Sequence, residues 1–323
     1  MSPESKNKDW QPTATVETLR ARARFLRAIR DFFESRDVME VETPLLCATG
    51  ALDPYLDVIS AQGGYLQTSP EYGMKRLLAA GCGSIYQLCK AFRGEESGRL
   101  HNPEFTMLEW YRVGFTHHQL MDEMDALLGN LLGASKADRL SYSDLFQKAL
   151  GFNPHTVSIV HLQEVAMQVN ITLSAASLEG LRRDDWLDLL MTHHLEPTLG
   201  LVRPLMLYDY PHTQAALAKL RQDHPEVPPV GERFEVYIQG IELANGYHEL
   251  TDSTVQRVRF QEDRNRRAEL GVMPMQIDNR LMQALEHGLP ACAGVALGVD
   301  RLFMLKMGFT SIHDVLAFPG SRA

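Results

Sequence analysis

The chain opens with a helical pattern of apolar positions. Between residues 16 and 35, Leu19, Ala23, Leu26 and Phe33 recur at intervals close to a helical turn, with arginines between them. This spacing predicts an amphipathic helix whose outer face is rich in arginine. Short apolar runs that end in turns or in proline follow the helix, and they predict strands.

Strand and helix patterns then alternate along the chain. We expect the strands at 85–93 and 105–115 to bracket one loop as an antiparallel hairpin, and we interpret the helical middle, about 118–201, as an insertion packed on the sheet. A tight turn is predicted at Asn245-Gly246. The other predicted strands are 39–43, 65–69, 205–210 and 233–243, and the helices are 16–35, 71–80, 120–132, 143–150, 162–169, 184–195, 254–270 and 279–287, before a final strand and helix. The pattern predicts an α+β fold with an antiparallel sheet flanked by helices.

The composition predicts a large hydrophobic core and a net negative charge. The 323 residues include 45% hydrophobic ones, enough for one or two domains. We expect residues 1–15 to be a polar, loosely attached tail and 16–323 to be one catalytic domain. With 32 basic and 41 acidic residues the net charge is −9, which repels nucleic acid. Two arginine groups are interpreted as solvated helix faces or intersubunit contacts: 20, 22, 24, 27 and 30, and 257, 259, 264, 266 and 267.

Several classes of protein do not match the sequence. The four cysteines lack CxxC spacing and no signal peptide is evident, so we expect a reduced cytoplasmic location. No apolar run reaches the roughly 18 residues of a membrane span. The histidine pairs His117-His118 and His193-His194 lack zinc-motif spacing, and we do not expect structural zinc. Neither a GxGxxG unit nor a P-loop occurs, which argues against the nucleotide folds that use them.

Chemistry-bearing residues concentrate in the loop between the strands predicted at 85–93 and 105–115. They are Phe92, Arg93, Gly94, Glu95, His101, Asn102, Glu104 and Phe105. A guanidinium can bind phosphate, an aromatic ring can stack on a purine, and carboxylates can receive cations. The same cluster would also suit a solvated charged loop, so it does not decide between these interpretations by itself.

Two further elements accompany this loop. The segment 294–302 is a strand of small residues that leads into a helix with Arg301 at the junction, which would also suit a tightly packed turn with a surface arginine. The segment 39–44 is a strand that ends in Pro44. In this order the three elements resemble the signature motifs of class II aminoacyl-tRNA synthetases. The segments 69–71, 101–111 and 242–250 narrow the resemblance to the lysyl-tRNA synthetase branch, and it extends from about Val16 to the C-terminus.

The resemblance implies roles for individual residues. Arg93 and Arg301 would be catalytic, with Arg93 on the α-phosphate and the substrate carboxylate, Arg301 on the γ-phosphate, and Phe105 stacked on adenine. ATP would be bound by Arg93, Gly94, Glu95, His101, Asn102, Phe105, Glu242, Leu243, Gly298 and Arg301. The amino acid would be bound by Ser69, Pro70, Glu71, Glu109, Tyr111, Asn245, Tyr247, Glu249 and Ala296. Glu242 and Glu249 would bind Mg²⁺, which prefers oxygen ligands.

The chain also departs from full-length lysyl-tRNA synthetases. Ser69 stands in place of alanine, Ala296 in place of a glycine, and Gly94 where asparagine is common, and we expect no anticodon-binding domain. The expected truncation, the acidic net charge and the changes at Ser69 and Ala296 are together similar to those of the truncated paralogues of lysyl-tRNA synthetase that attach (R)-β-lysine to a lysine of elongation factor P. The expected activity is therefore ATP-dependent formation of a lysyl- or β-lysyl-adenylate and its transfer to that protein.

The resemblance also implies a homodimer, because the first motif forms the dimer interface in the family. We do not expect tRNA or a membrane to be a partner. Two alternatives stay open at this point: a minimal lysyl-tRNA synthetase that charges tRNA, and a regulatory module that has lost catalysis. The presence of Arg93, Glu95, Glu242, Glu249 and Arg301 favours a catalytic protein.

Overall fold

The computed structural model describes residues 10–94, 97–171 and 180–323. The helices in this part are α1 (Val16–Glu34), α2 (Glu71–Ala79), α3 (His117–Leu132), α4 (Tyr142–Leu150), α5 (Ile159–Gln168), α6 (Arg183–Leu190), α7 (Ser253–Glu269), α8 (Asn279–Gly288) and α9 (Val299–Met307). The strands are β1 (Met39–Glu40), β2 (Leu46–Cys47), β3 (Ser60–Ala61), β4 (Gly64–Leu66), β5 (Ile85–Phe92), β6 (Glu104–Val113), β7 (Asp138–Ser141), β8 (Leu205–Pro211), β9 (Leu220–Arg221), β10 (Val230–Ile238), β11 (Ile241–His248) and β12 (Cys292–Gly298).

The chain divides into two compact units. The first comprises the described residues up to Trp110, together with Ser253–Leu289 and Ala296–Ala323, and the second comprises Tyr111–Asp252 and Pro290–Val295. In the first unit, β1 pairs with β5 in parallel, and β2, β4 and β3 form a small antiparallel sheet. Helix α1 begins where the Thr15 hydroxyl accepts a hydrogen bond from the Thr18 N–H, a typical N-cap.

The core of the first unit is aromatic where α1 meets the sheet. Phe33 of α1 stacks on Tyr86 of β5, with ring centroids 4.5 Å apart, and meets Trp110 edge-on at 5.3 Å. Phe33 and Trp110 are fully buried. Such aromatic pairs add to the free energy gained from burial alone. The helical period at 16–35 therefore predicted the element but only part of its buried face. Phe33 is buried, whereas Leu19 and Leu26 are half-buried and Ala23 is exposed.

In the second unit, strands β11, β10 and β8 are antiparallel, and β7 pairs with β8 in parallel. Helices α4, α5 and α6 pack on β8 and β10 through one buried cluster, which includes Phe146, Leu162 and Leu187 on the helices and Leu207 and Tyr237 on the strands. The predicted sheet is thus antiparallel in β8, β10 and β11, whereas the pairs β1–β5 and β7–β8 are parallel.

The turn predicted at Asn245-Gly246 is wrong. The chain reverses at Gln239 and Gly240, which have φ angles of 54° and 71°, and Gly246 lies inside β11. A Cβ atom at Gly246 would lie 2.5 Å from the ring of Phe234. The glycine therefore allows close packing across β10 and β11, and its presence does not mark a reversal of the chain.

The predicted polar tail also differs from the structure in its described part. The N–H groups of Thr13 and Ala14 donate to the carbonyls of Ala317 and Leu316 (2.8 and 3.1 Å), and Ala14 is buried. These backbone bonds attach residues 13 and 14 to the C-terminal segment. Among the described helices, none combines the length and the apolar character needed to cross a membrane.

Asp263 on α7 gives the first unit a pH-dependent stability. Burial, and then the nearby carboxylates of Asp53 and Glu262, raise the pKa of Asp263 from 3.8 to about 7, against the opposing charge of Arg259. Between these two values the folded chain keeps a proton that the unfolded chain has lost. Because the folded state binds more protons, the stability contributed by this group falls as pH rises from about 4 to 7.

We therefore expect the free energy of unfolding of Asp263→Asn at pH 8 to exceed that of the wild type by about 1–2 kcal/mol. Near pH 4 the two proteins should be equally stable. Urea titrations at several pH values would measure this difference. Glu269→Gln, which changes an exposed carboxylate on the same helix, is the control and should show no such pH dependence. An Asp263→Asn effect that is equal at both pH values would contradict the assignment.

Candidate active site

The loop between β5 and β6 is closed at its base by Arg93. The Arg93 N–H donates to the carbonyl of Pro103 (2.9 Å), and its guanidinium lies over the Phe105 ring, 5.1 Å from the centroid. The next N–H, of Gly94, donates to the Asp57 carbonyl (3.0 Å). A side chain at Gly94 would have to displace the Asp57 carboxylate. The loop thus presents a cation beside an aromatic face.

Arg301 reaches the same loop from the start of α9. Its Nε donates to the Leu100 carbonyl (3.2 Å), and its Nη2 lies 2.6 Å from Nε2 of His101. Asn102 donates to the Glu104 carbonyl and accepts from the Gly320 N–H. The structure therefore brings Arg93 and Arg301 to one loop, although about 200 positions separate them along the chain.

A buried ion pair fixes the start of α9 relative to β6. The Asp300 carboxylate accepts from the Thr106 N–H (2.7 Å) and lies 2.6 Å from Nη2 of Arg22. Arg22 also donates to the Thr106 hydroxyl (2.9 Å). Arg22 was interpreted above as part of a solvated helix face, and for this residue the interpretation is wrong because its side chain is only 14% exposed. Thr106 and Asp300 are the neighbours of Phe105 and Arg301, so the ion pair positions both.

We expect Arg22→Met to lower the free energy of unfolding by about 2–3 kcal/mol, because it leaves the Asp300 carboxylate buried without its cation. Urea unfolding followed by circular dichroism would measure the change. Arg24→Met alters an exposed arginine of the same helix and is the matched control, with an expected effect below about 0.5 kcal/mol. Equal losses in the two variants would show that the ion pair has no special role.

The predicted substrate residues of the first unit form a second cluster. The Ser69 hydroxyl donates to the Glu109 carboxylate (2.6 Å) and accepts from the Glu71 N–H (3.1 Å). Lys75, buried one turn along α2, donates to the Glu71 carboxylate (2.6 Å). Glu71 therefore has a cationic partner within α2, and its charge does not require a substrate cation.

Cys89 on β5 lies near this cluster. Burial, and then the negative charge of Glu109, raise the pKa of the Cys89 thiol to about 12, although a hydrogen bond from Gln67 opposes the shift. The thiol is therefore neutral at physiological pH. Since the thiolate is the nucleophilic form, Cys89 is not a candidate for covalent catalysis.

Three predicted residues of the second unit, Glu242, Asn245 and Tyr247, share one face of the β10–β11 hairpin. Arg233 is opposite Tyr247, Glu235 opposite Asn245, and Tyr237 opposite Glu242, with a one-residue bulge between the last two pairs. Paired residues share a face, and the odd-numbered residues of β10 lie on one side. Because the bulge at Leu243 shifts the alternation, Glu242 lies on the same face as Asn245 and Tyr247.

Arg233 and Glu235 form a network on this face that the sequence analysis missed. The Arg233 guanidinium donates to Asn245 Oδ1 (3.2 Å) and to the Glu235 carboxylate, which also accepts from the hydroxyls of Tyr210 and Tyr237. Burial opposes the charge of Arg233, but Glu235 and then Tyr247 keep its pKa well above the usual value. The only sequence signal was the alternating Arg-x-Glu at 233–235.

Tyr111 and Glu249 approach each other over a glycine of β12. A Cβ atom at Gly294 would overlap both the Tyr111 ring and the Glu249 carboxylate, so both side chains lie against the Cα of Gly294. The Glu249 N–H donates to the Cys292 carbonyl (2.9 Å). The missing side chain of Gly294 thus allows the close approach of two predicted substrate residues.

Glu242 and Glu249 stay the predicted Mg²⁺ ligands. Glu242 is on β11, and Glu249 directly follows the last residue of that strand. Carboxylate oxygens are the ligands that Mg²⁺ prefers. Glu235, on the facing strand, is not a further donor, because Arg233 and the hydroxyls of Tyr210 and Tyr237 occupy its carboxylate.

Comparison with known proteins gives the family. The family model of tRNA synthetases class II (D, K and N) matches residues 6–322. The chain belongs to this class II tRNA synthetase family. The elongation factor P–(R)-β-lysine ligase of Vibrio cholerae is 50% identical over 327 residues, covering 98% of this chain and 99% of the relative. Those of Vibrio vulnificus and Klebsiella pneumoniae are 50% and 48% identical, covering 96% and 99% of this chain and 98% and 100% of theirs.

Membership of the class II family confirms the predicted fold class and the prediction that the chain is an enzyme of the ligase type. The roles of individual site residues stay predictions. In the first unit lie Ser69, Pro70, Glu71, Arg93, Gly94, His101, Asn102, Phe105, Glu109, Ala296, Gly298 and Arg301, and in the second lie Tyr111, Glu242, Leu243, Asn245, Tyr247 and Glu249. Glu95 lies outside the described residues.

Local sequence motifs marked the predicted site residues. No motif marked the residues that hold them in place. Pro70 precedes α2 and Gly298 precedes α9, as the motifs implied. Leu243 is the bulge residue, and Ala296 lies on β12. Arg22, Lys75 and Arg233 had no motif to mark them, because each acts through a contact that the fold creates.

Proposed function

We propose that this chain activates (R)-β-lysine, or lysine, with ATP and transfers the acyl group to a lysine side chain of elongation factor P. Relatives at 48–50% identity over nearly the whole chain bear the name of such a ligase. The observation that carries the proposal is the loop 93–105, which gathers Arg93, Phe105, His101 and Arg301. Two guanidinium groups and an aromatic face are the groups that a nucleoside triphosphate needs.

Activation requires a carboxylate to approach the α-phosphate, although both are negatively charged. Arg93 would neutralise both groups, and Arg301 would bind the γ-phosphate end, so that charge on the departing pyrophosphate is stabilised. Phe105 would stack on adenine. Because Arg301 is fixed by Leu100 and His101 and by its neighbour Asp300, little reorganisation is needed when charge develops.

Mg²⁺ would neutralise phosphate oxygens, and Glu242 and Glu249 would hold it, as the family resemblance implies. Glu109 and Glu249 would recognise substrate ammonium groups, with Tyr111, Asn245 and Tyr247 as polar neighbours. The Ser69 hydroxyl fixes the orientation of Glu109, and Arg233 fixes Asn245. A serine in place of alanine thus adds a hydrogen bond to the proposed substrate-binding carboxylate, and this bond would help to discriminate between amine positions.

In the second step the amine of the acceptor lysine attacks the carbonyl of the adenylate. An amide bond forms, the bond to AMP breaks, and the ammonium proton of the acceptor is released. An amine acceptor on a protein does not need a basic nucleic-acid surface, which agrees with the net charge of −9.

Mass spectrometry of elongation factor P tests this proposal directly. The enzyme, Mg-ATP and either (R)-β-lysine or α-lysine would be incubated with elongation factor P or with tRNA. We expect the protein to gain the mass of one lysyl group, and to do so only with ATP. Acylation of tRNA without modification of elongation factor P would instead support a minimal tRNA-charging enzyme, and absence of pyrophosphate exchange with either isomer would support a non-catalytic module.

The homodimer stays a proposal as well. Its basis is the family's first motif, whose helix α1 and strand β1 are present here. Light scattering at micromolar concentration should give twice the mass of the chain, and a monomer would contradict the proposal.

A further inference from the structure

The face of the β10–β11 hairpin opposite to Arg233 and Tyr247 carries a separate cluster of titratable groups. Glu232 and His248 continue the strand register by one pair, and Nδ1 of His248 lies 2.6 Å from Oε2 of Glu232. His117, the first residue of α3, completes the cluster. One potential ligand atom from each of the three residues lies within 4.8 Å of the others.

His117 is held rigidly in this position. Helix α3 begins with a capping box in which Thr116 and Gln119 exchange hydrogen bonds, and His117 is only 1% exposed. Within the described residues, neither ring nitrogen of His117 has a hydrogen-bond partner, and the nearest carboxylate oxygen, of Asp209, is 3.6 Å from Nε2. A buried imidazole that faces a cluster without a hydrogen bond is uncommon in folded proteins, and it indicates a binding role.

The charges around the cluster favour a cation. Glu232 and Asp209 contribute two carboxylates, Glu232 at 2.6 Å from His248 and Asp209 at 3.6 Å from His117. Arg221 lies 2.7 Å from Asp209 and 3.7 Å from Glu232. One guanidinium beside two carboxylates leaves excess negative charge when both histidines are neutral, the form in which imidazole binds metals.

The donor set selects the kind of ion. Two imidazole nitrogens and one carboxylate are ligands typical of Zn²⁺ and related transition metals, whereas Mg²⁺ and Ca²⁺ take oxygen ligands. We propose that His117, Glu232 and His248 form a binding site for Zn²⁺ that joins the start of α3 to strands β10 and β11. Asp209, beside His117, is placed to accept a hydrogen bond from the ring nitrogen that does not bind the ion.

This site differs from the proposed Mg²⁺ position. Glu232 and His248 lie on one side of the hairpin, and Glu242, a predicted Mg²⁺ ligand, lies on the other. No short motif marks the zinc ligands in the sequence, because they stand at positions 117, 232 and 248. For this reason the spacing of the histidines led us not to expect structural zinc.

Metal analysis of the whole protein tests the proposal. Protein treated with a chelator would be titrated with ZnCl₂ in excess Mg²⁺, which occupies sites made of oxygen ligands, and the bound zinc measured by mass spectrometry after gel filtration. We expect one Zn²⁺ per chain. His248→Gln should weaken zinc binding by about 100-fold, whereas His118→Ala, which removes the exposed neighbour of His117, should leave it unchanged.

Two further measurements keep the test decisive. Circular dichroism of His248→Gln would establish that the variant is folded, and Glu232→Gln provides a second ligand variant with the same expected loss. Co²⁺ in place of Zn²⁺ should give visible absorption bands without the charge-transfer band of a cysteine ligand. The proposal is overturned if the wild type retains no zinc, if the folded ligand variants bind zinc as tightly as His118→Ala does, or if Co²⁺ shows a thiolate band.

Discussion

Replacing Arg301 by alanine should lower kcat/KM for ATP in pyrophosphate exchange by about 1000-fold, or about 4 kcal/mol of transition-state stabilisation. Arg301 is the charged group that α9 brings to the loop 93–105, where Leu100 and His101 hold it. Its removal leaves the end of the triphosphate without a fixed cation while Arg93 and Phe105 stay in place. We therefore expect a large loss of rate and a higher KM for ATP, with little change in stability.

Arg99→Ala is the matched control, since Arg99 is an exposed arginine of the same loop that donates to the Thr310 carbonyl. It should retain exchange activity within a few-fold of the wild type. Arg301→Lys would separate charge from geometry, and we expect it to recover only part of the activity because an ammonium lacks the planar fork of donors. Full activity of Arg301→Ala would remove the basis of the catalytic assignment.

Arg233→Met should lower the free energy of unfolding by about 3–5 kcal/mol. The substitution keeps the volume of the side chain but leaves the Glu235 carboxylate buried without its cation, and it also removes the donors to Asn245 and the Gln214 carbonyl. The two tyrosine hydroxyls that Glu235 accepts from cannot replace a positive charge. Urea unfolding followed by tryptophan fluorescence would measure the loss.

Arg203→Met provides the comparison, because Arg203 is half-exposed and pairs loosely with Asp138 in the same unit. Its expected effect is below about 0.5 kcal/mol. A double variant, Arg233→Met with Glu235→Gln, should recover part of the stability, since the uncompensated charge is gone. If the double variant is as unstable as the single one, packing and not charge accounts for the role of Arg233.

Helices and strands with a strong hydrophobic period could be predicted from the sequence, whereas the positions of chain reversals could not. Helix α1 was expected at 16–35 and occupies Val16–Glu34, and β5 and β6 agree to within two residues with their predicted ranges. The prediction of a turn at Asn245-Gly246 was wrong because an Asn-Gly pair indicates a turn from local sequence alone. Here the glycine is needed for the close packing of Phe234. The true reversal, at Gln239-Gly240, has a weaker turn sequence.

The candidate site shows the same division between local and tertiary information. Motifs predicted Arg93, Phe105 and Arg301, and the fold brings all three to one loop. The bulge at Leu243 could not be predicted, and it determines the face on which Glu242 lies. Alternation counted from the sequence would place Glu242 on the wrong side of the strand.

The place of Cys89 beside Glu109 should protect this thiol from chemical modification. Burial, and then the adjacent carboxylate, keep the thiol protonated, whereas alkylating reagents and oxidants react with the thiolate. Iodoacetamide should therefore leave Cys89 unmodified at neutral pH while the protein is folded, and alkylate it once the protein is unfolded in urea. Peptide mapping of the two samples would show the difference.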